Sequence, residues 1–182
     1  MAARNGFDLG AVVGTAFEHL KALVVEDNPH MRAILRSLLA DMGIGEIFEA
    51  ADGGKAFALL PCVRPDFVVT DLAMTPIDGI AFTRELRNSR ESPNPFLPVI
   101  MVSGHTERAR IVAARDAGVT EFIAKPVTSR NLFLRIAAVV ERPRPFVRAS
   151  TYFGPDRRRQ NDAFHVGPWR RQEDHTRNVA VV

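Results

Sequence analysis

The sequence predicts an α/β fold over residues 21–141: a doubly wound, five-stranded parallel sheet flanked by five helices. Three observations predict it. Short runs without a charge, such as 22–25 and 99–102, suit strands covered on both faces. Stretches with helical apolar spacing alternate with them, the pattern of repeated strand–helix units. Polar residues stand directly after four of the runs, and ligands bind at the carboxyl ends of strands in open parallel sheets.

Residues 22–25 open the sheet. Asn28-Pro29 then supplies a cap and a first-turn proline for a helix carrying Met31, Ile34, Leu35, Leu38, Leu39 and Met42 on its apolar face. Ile47-Phe48 is a short strand, and Ala56, Leu59 and Leu60 lie on a helix that Pro61 or Pro65 ends. The strand 67–70 follows, then a helix opened by Asp78-Gly79 that carries Ile80, Phe82 and Leu86. Residues 88–98, with three prolines, read as loop. A strand at 99–102, a helix at 107–117 ended by Gly118, a strand at 119–124 and a helix at about 129–140 complete the alternation. From 131 to 140 only Asn131 and Arg135 are polar, more apolar than a helix covering one face of a sheet requires. Phe133 or Leu134 is therefore expected to meet something besides the sheet: a second copy in a homodimer, the N-terminal segment, or the tail.

Three regions follow: an N-terminal extension at 1–20, the α/β domain at 21–141, and a basic tail rich in proline, arginine and aromatics at 142–182. At 182 residues, 46% hydrophobic and 25% charged, the chain matches a soluble globular protein with one domain of ordinary size. The single cysteine, Cys62, excludes an internal disulfide, and no apolar run approaches the roughly 20 residues of a membrane span. Asp8, Gly10 and Gly14 interrupt the weak apolar patch near the start, which argues against a signal peptide, so a cytoplasmic location without membrane contact is expected. The net charge of +3 is uneven. The tail holds nine arginines against four acidic residues, which leaves the α/β domain slightly acidic.

The four polar stations are Glu26-Asp27, Asp71, Ser103 and Lys125-Pro126. A carboxylate just beyond a buried strand can act as a nucleophile, and aspartyl phosphates are an established class of covalent intermediate. Acting on phosphorus it needs a divalent cation, because carboxylate and phosphoryl oxygens repel. Glu26 and Asp27 supply hard oxygen donors suited to Mg²⁺. Ser103 can donate to a phosphoryl oxygen and Lys125 adds a compact positive charge, in a chemistry governed by positioning and electrostatics. The five histidines have no metal-ligand spacing, and Gly53-Gly54 lacks the remainder of a phosphate-binding loop.

In these stations, taken in order, residues 21–141 resemble the receiver domain of bacterial two-component response regulators, whose fold is flavodoxin-like. The resemblance implies that Asp71 accepts a phosphoryl group from a histidine kinase or phosphotransfer protein. It implies that Glu26 and Asp27 hold Mg²⁺ with Asp71 and the backbone carbonyl of Ala73. Ser103 becomes the switch hydroxyl, Lys125 the partner of Asp71 and its phosphate, and Phe122 the aromatic that pairs with Ser103. Ala73 and His105 become the variable positions flanking the phosphoryl group. The chain departs from the commonest pattern in the proline of the loop, Pro76, one place later, and in Glu26 for an aspartate.

The implied function is a phosphorylation-switched response regulator that signals through a downstream protein partner and is not an enzyme. A phosphatase of the haloacid-dehalogenase type would usually place an aspartate two residues after the nucleophile, where this chain has Ala73. The alternative is a nucleic-acid-associated regulator binding through the arginine-rich tail, but Asp156, Asp162, Glu173 and Asp174 within that tail oppose it, and nucleic acid is not the expected partner. Forty-one residues do not hold a winged-helix output domain. Arg142-Pro-Arg-Pro145 reads as a stiff linker, and the remainder of 142–182 is expected to be largely irregular. Its string Tyr152-Phe-Gly-Pro-Asp-Arg-Arg-Arg159 resembles a tail motif of bacterial receiver proteins without a DNA-binding domain.

Overall fold

The computed structural model describes residues 17–104, 107–149 and 151–157 in full, and the backbone of 178–180. Five strands, β1 (Lys21–Val25), β2 (Glu46–Ala50), β3 (Phe67–Asp71), β4 (Val99–Ser103) and β5 (Glu121–Ala124), form one parallel sheet in the order β2-β1-β3-β4-β5. Helices α1 (Pro29–Asp41), α2 (Gly53–Val63), α3 (Gly79–Asn88), α4 (Arg108–Ala117) and α5 (Ser129–Glu141) connect and flank them. This is the fold class read from the sequence. β2 is longer than Ile47-Phe48 alone, and β5 begins at Glu121, two residues later than the apolar pattern suggests. There Thr120 bonds to β4 through its backbone N–H and its hydroxyl instead of continuing the strand.

Alternation within each strand divides the core. Ala22, Val24, Phe67, Val69, Ile100 and Val102 face Leu35 and Leu39 of α1 and Leu132 and Ile136 of α5. Leu23, Val25, Val68 and Val99 face Ala56 and Leu60 of α2 and Phe82 and Leu86 of α3. Both faces being covered explains why β3 and β4 are buried at every position. Asn28 caps α1 by accepting from the N–H groups of His30 and Met31, with Pro29 in the first turn. Pro61 lies inside α2, two residues before its end, where only one intrahelical bond is forfeited. Pro65 ends the helix instead. The residue before a proline is driven out of helical geometry, and Arg64 takes a left-handed φ of 47°. Phe133 meets the N-terminal segment, its ring 5.8 Å from that of Phe17, while Leu134 remains 52% exposed.

Part of the tail is regular. Strand β6 (Phe146–Ala149) pairs antiparallel with β7 (Tyr152–Pro155) as a hairpin, and β8 (Asn178–Ala180) pairs antiparallel with β6. A buried aromatic cluster overrides the loop-like composition. Phe146 and Phe153 pack edge-on against Phe96 with centroids 5.2 and 5.3 Å away. The remaining tail, 158–177, lies outside the described residues.

Candidate functional site

Glu26 follows β1, Asp71 and Ser103 end β3 and β4, and Lys125 follows β5, so the strand order gathers all four at one edge of the sheet. Lys125 Nζ lies 2.8 Å from Asp71 Oδ1 and 3.2 Å from Glu26 Oε2. One ammonium thus joins two carboxylates that are 8% and 2% exposed. Burial pushes the Glu26 carboxyl above its usual range, and the neighbouring Asp71 charge pushes it further, outweighing Lys125 and the Asn28 N–H. Burial opposes the Lys125 charge, but hydrogen bonds and attraction from Asp71 and Glu26 prevail and raise its pKa. Negative charge therefore exceeds what the lysine offsets. A hard cation suits such a set of carboxylate oxygens.

The backbone fixes the site tightly. Ala73 N–H donates to Asp71 Oδ2 at 3.0 Å, orienting the carboxylate. Asp27 is exposed, and its Oδ2 accepts from Thr75 N–H at 3.4 Å, linking the acidic turn to the loop after β3. Asp78 caps α3 by accepting from Ala81 N–H. Ser103 is buried, and its carbonyl accepts from Lys125 N–H at 2.8 Å. The Lys125–Pro126 and Thr75–Pro76 bonds are cis, and Pro126 is exposed. Phe122 is half-buried against Leu72, Met101 and Ala114, between the sheet and α4. The structure thus brings Glu26, Asp71 and Lys125 into contact, sets Asp27 and Ala73 beside them, and holds Phe122 farther off. His105 lies outside the described residues.

Three supporting residues escaped the sequence reading. Arg32 Nη1 donates to the Glu26 carbonyl at 2.7 Å and its Nε to Glu49 at 3.1 Å, pinning the acidic turn. Nothing in its spacing as an ordinary first-turn arginine marks that role. Gly79 passes so close to the Asp71 carbonyl that a Cβ there would collide with it, and its N–H closes the loop onto Leu72. The Asp78-Gly79 pair was a legible signal for the helix start but not for this approach. Thr70 donates its hydroxyl to the Asp71 carbonyl at 3.0 Å.

With this geometry the comparisons agree. The family model of the response regulator receiver domain matches residues 22–137. The chain belongs to the response regulator receiver family. It is 36% identical over 125 residues to the chemotaxis protein CheY-3 of Vibrio cholerae serotype O1, covering 69% of this chain and 95% of that protein. It is 37% identical over 123 residues to the chemotaxis protein CheY of Pseudomonas aeruginosa, covering 68% and 98%. Among solved structures, the chemotaxis protein CheY4 of Vibrio cholerae superposes with a TM-score of 0.61 at 26% identity, over 66% of this chain and 98% of that one. A receiver of this kind is a phosphorylation-switched response regulator of two-component signalling. The family match ends at residue 137, before the hairpin. Among the described residues no helix is long and apolar enough to cross a membrane.

Proposed function

We propose that Asp71 is the phosphoryl acceptor, taking its phosphoryl group from a histidine kinase or phosphotransfer protein. The observation that carries this reading is the Asp71 carboxylate held 2.8 Å from Lys125 beside the buried carboxylate of Glu26. Asp71 attacks phosphorus, the bond to the donor's imidazole nitrogen breaks, and that nitrogen keeps the electron pair. Lys125 then faces the phosphoryl oxygens. Asp27, Asp71 and the Ala73 carbonyl, assisted by Glu26, would hold Mg²⁺. When bound, the ion offsets the repulsion between carboxylate and phosphoryl oxygens.

Output runs through protein contact. Ser103, buried beside Asp71 in the sheet, turns toward the phosphoryl group, and Phe122 moves inward. These changes alter the face formed by α4, β5 and α5. Exposed Leu134 on α5 offers an apolar contact for a homodimer or a downstream protein. The protein works in the cytoplasm as a switch without enzymatic turnover of its own. A nucleic-acid role for the tail is weakened because Arg144 and Arg157 are paired with Glu121 and Asp116.

Incubation with acetyl phosphate and Mg²⁺, followed by mass-spectrometric mapping, tests the acceptor. One phosphoryl group on Asp71 is expected, absent in Asp71→Asn and absent without Mg²⁺. Undiminished labelling of the Asp71→Asn protein would falsify the assignment.

A further inference from the structure

α4 is anchored unlike the other helices. Asn28, Asp52, Asp78 and Thr128 each cap their helix with a side-chain hydrogen bond. Those helices also bury large apolar side chains: Leu35 and Leu39, Leu60, Phe82 and Leu86, Leu132 and Ile136. At α4, Glu107 makes no capping bond, only Ala114 and Ala117 are buried, and Ile111 is 38% exposed. Apolar burial scales with the area removed from water, so the sheet holds α4 far more weakly than its neighbours.

The tail supplies what is missing, at the end of α4 farthest from Asp71. Gly118 ends the helix with a left-handed φ of 97°, and a Cβ there would lie 3.0 Å from both the Phe153 carbonyl and the Arg87 side chain. A Cβ on Gly154 would lie 2.8 Å from Gly118 Cα, so the hairpin backbone rests directly on the helix terminus. Arg157, stacked 3.9 Å over Tyr152, reaches Asp116 at 3.1 Å. Arg87 of α3 donates to the Gly118 carbonyl at 3.1 and 3.0 Å and to the Pro95 carbonyl at 2.9 Å, with the Phe146 ring 5.0 Å away. Arg144 pairs with Glu121 at the start of β5, 2.7 Å away.

We infer that the groove formed by Phe96, Arg87 and Gly118 is a binding site for the aromatic, arginine-bearing hairpin of residues 144–157, and that its occupancy fixes α4 in the resting arrangement. The hairpin is docked on the arrangement in which Lys125 pairs directly with the Asp71 carboxylate, 2.8 Å away, so docking favours the state before phosphoryl transfer. α4 begins five residues after Ser103, so phosphoryl group and hairpin bear on opposite ends of one weakly held helix. Two ligands that bias one equilibrium are linked reciprocally. Phosphorylation loosens the hairpin, and a loosened hairpin favours phosphorylation. The anchoring stands on the packing alone, whereas the linkage rests on Asp71 being the acceptor.

Hydrogen exchange with mass spectrometry on the full chain tests both parts. In Phe153→Ala/Arg157→Ala, peptides covering 146–155 should lose protection and those covering 108–117 should exchange at least about fivefold faster, the lower end of ordinary coupling. Peptides from α1 and α5 should not change. The fraction phosphorylated at limiting acetyl phosphate should rise by a similar factor. In the wild type, phosphorylation should speed exchange at 146–157, and Asp71→Asn treated identically should show no change. An unprotected hairpin with α4 unaltered overturns the anchoring. A wild type shown by mass to be phosphorylated, with 146–157 unaltered, overturns the linkage. If no phosphoryl group is taken up, the acceptor assignment fails while the exchange of α4 still decides the anchoring. Should the double variant unfold globally, Arg157→Ala alone removes only the contacts with Asp116 and Tyr152, and exchange at 108–117 no faster than in the wild type then rejects the anchoring.

Discussion

At the carboxyl edge of the sheet, Glu26 and Asp71 share one lysine. At the opposite edge, the Arg87 guanidinium is enclosed by Phe146, two carbonyls and the α4 terminus. Both regions bury charge, and they treat it in opposite ways. Burial draws the Arg87 pKa down to about 9, so it is still a cation at neutral pH, and three hydrogen bonds to carbonyls satisfy it. At the site, two carboxylates compete for Lys125 and repel each other. A satisfied buried charge fastens elements together. A cluster whose two carboxylates share one ammonium is poised to take a cation or change its ligand.

Cutting the satisfied end should therefore cost stability and spare the chemistry. Phe153 is 6% exposed and packs against Phe96 and Phe146, so Phe153→Ala should destabilise the protein by about 3–5 kcal/mol. Urea unfolding measures the loss, and acetyl phosphate should still label Asp71 in the folded variant. A loss below about 1 kcal/mol would mean that the aromatic cluster contributes little.

The same contrast decides what the sequence could reveal. The acidic turn, Asp71, Ser103 and Lys125 were legible because each is a polar residue at the end of an apolar run, and parallel topology sends those ends to one edge. The hairpin was not. Phe146, Val147, Phe153 and Pro155 are too few to set a period, and their partners Phe96, Arg87 and Gly118 are distant in sequence. The αL end of α4 was visible as Gly118, but its contact with Gly154 was not. Pro61 misled in a smaller way, since near a helix terminus it removes little.

A second cut falls on the site itself, through its backbone. Because a Cβ at Gly79 would collide with the Asp71 carbonyl, Gly79→Ala should shift the strand that carries Asp71, costing about 1–3 kcal/mol and slowing labelling by acetyl phosphate. Gly104→Ala is the control, since a Cβ there meets nothing within 4 Å. Equal labelling rates in the two variants would remove Gly79 from the site's architecture.

A gentler change sharpens the comparison by adding a polar group where the site has none. Ala73 is exposed and offers no side chain to orient a water for attack on an acyl phosphate. A single added hydrogen bond contributes about 0.5–1.5 kcal/mol, so Ala73→Asn should hasten dephosphorylation severalfold. Decay of the phosphorylated species, followed by mass, measures it. Unchanged decay, or a wild-type phosphate lost within seconds, would mean that Ala73 does not limit hydrolysis.

The smallest expected effect concerns pH. Burial first, and the Asp71 charge second, raise the Glu26 pKa above its ordinary 4.5. In the metal-free protein this group therefore binds its proton more tightly when folded. Its contribution to stability is complete below pH 4.5 and is lost as pH rises through the folded value. Mg²⁺ binding runs the other way, because the ion competes with that proton. Lys125, its pKa raised, stays charged throughout and does not contribute to the slope. Mg²⁺ affinity, measured by calorimetric titration, should begin to fall at a pH above 4.5 as the solution is acidified. Glu26→Gln should bind more weakly at neutral pH and with a flatter profile, since the amide does not titrate. Parallel profiles for the two proteins would assign the competing proton to another group and leave Glu26 as a partner of Lys125 alone.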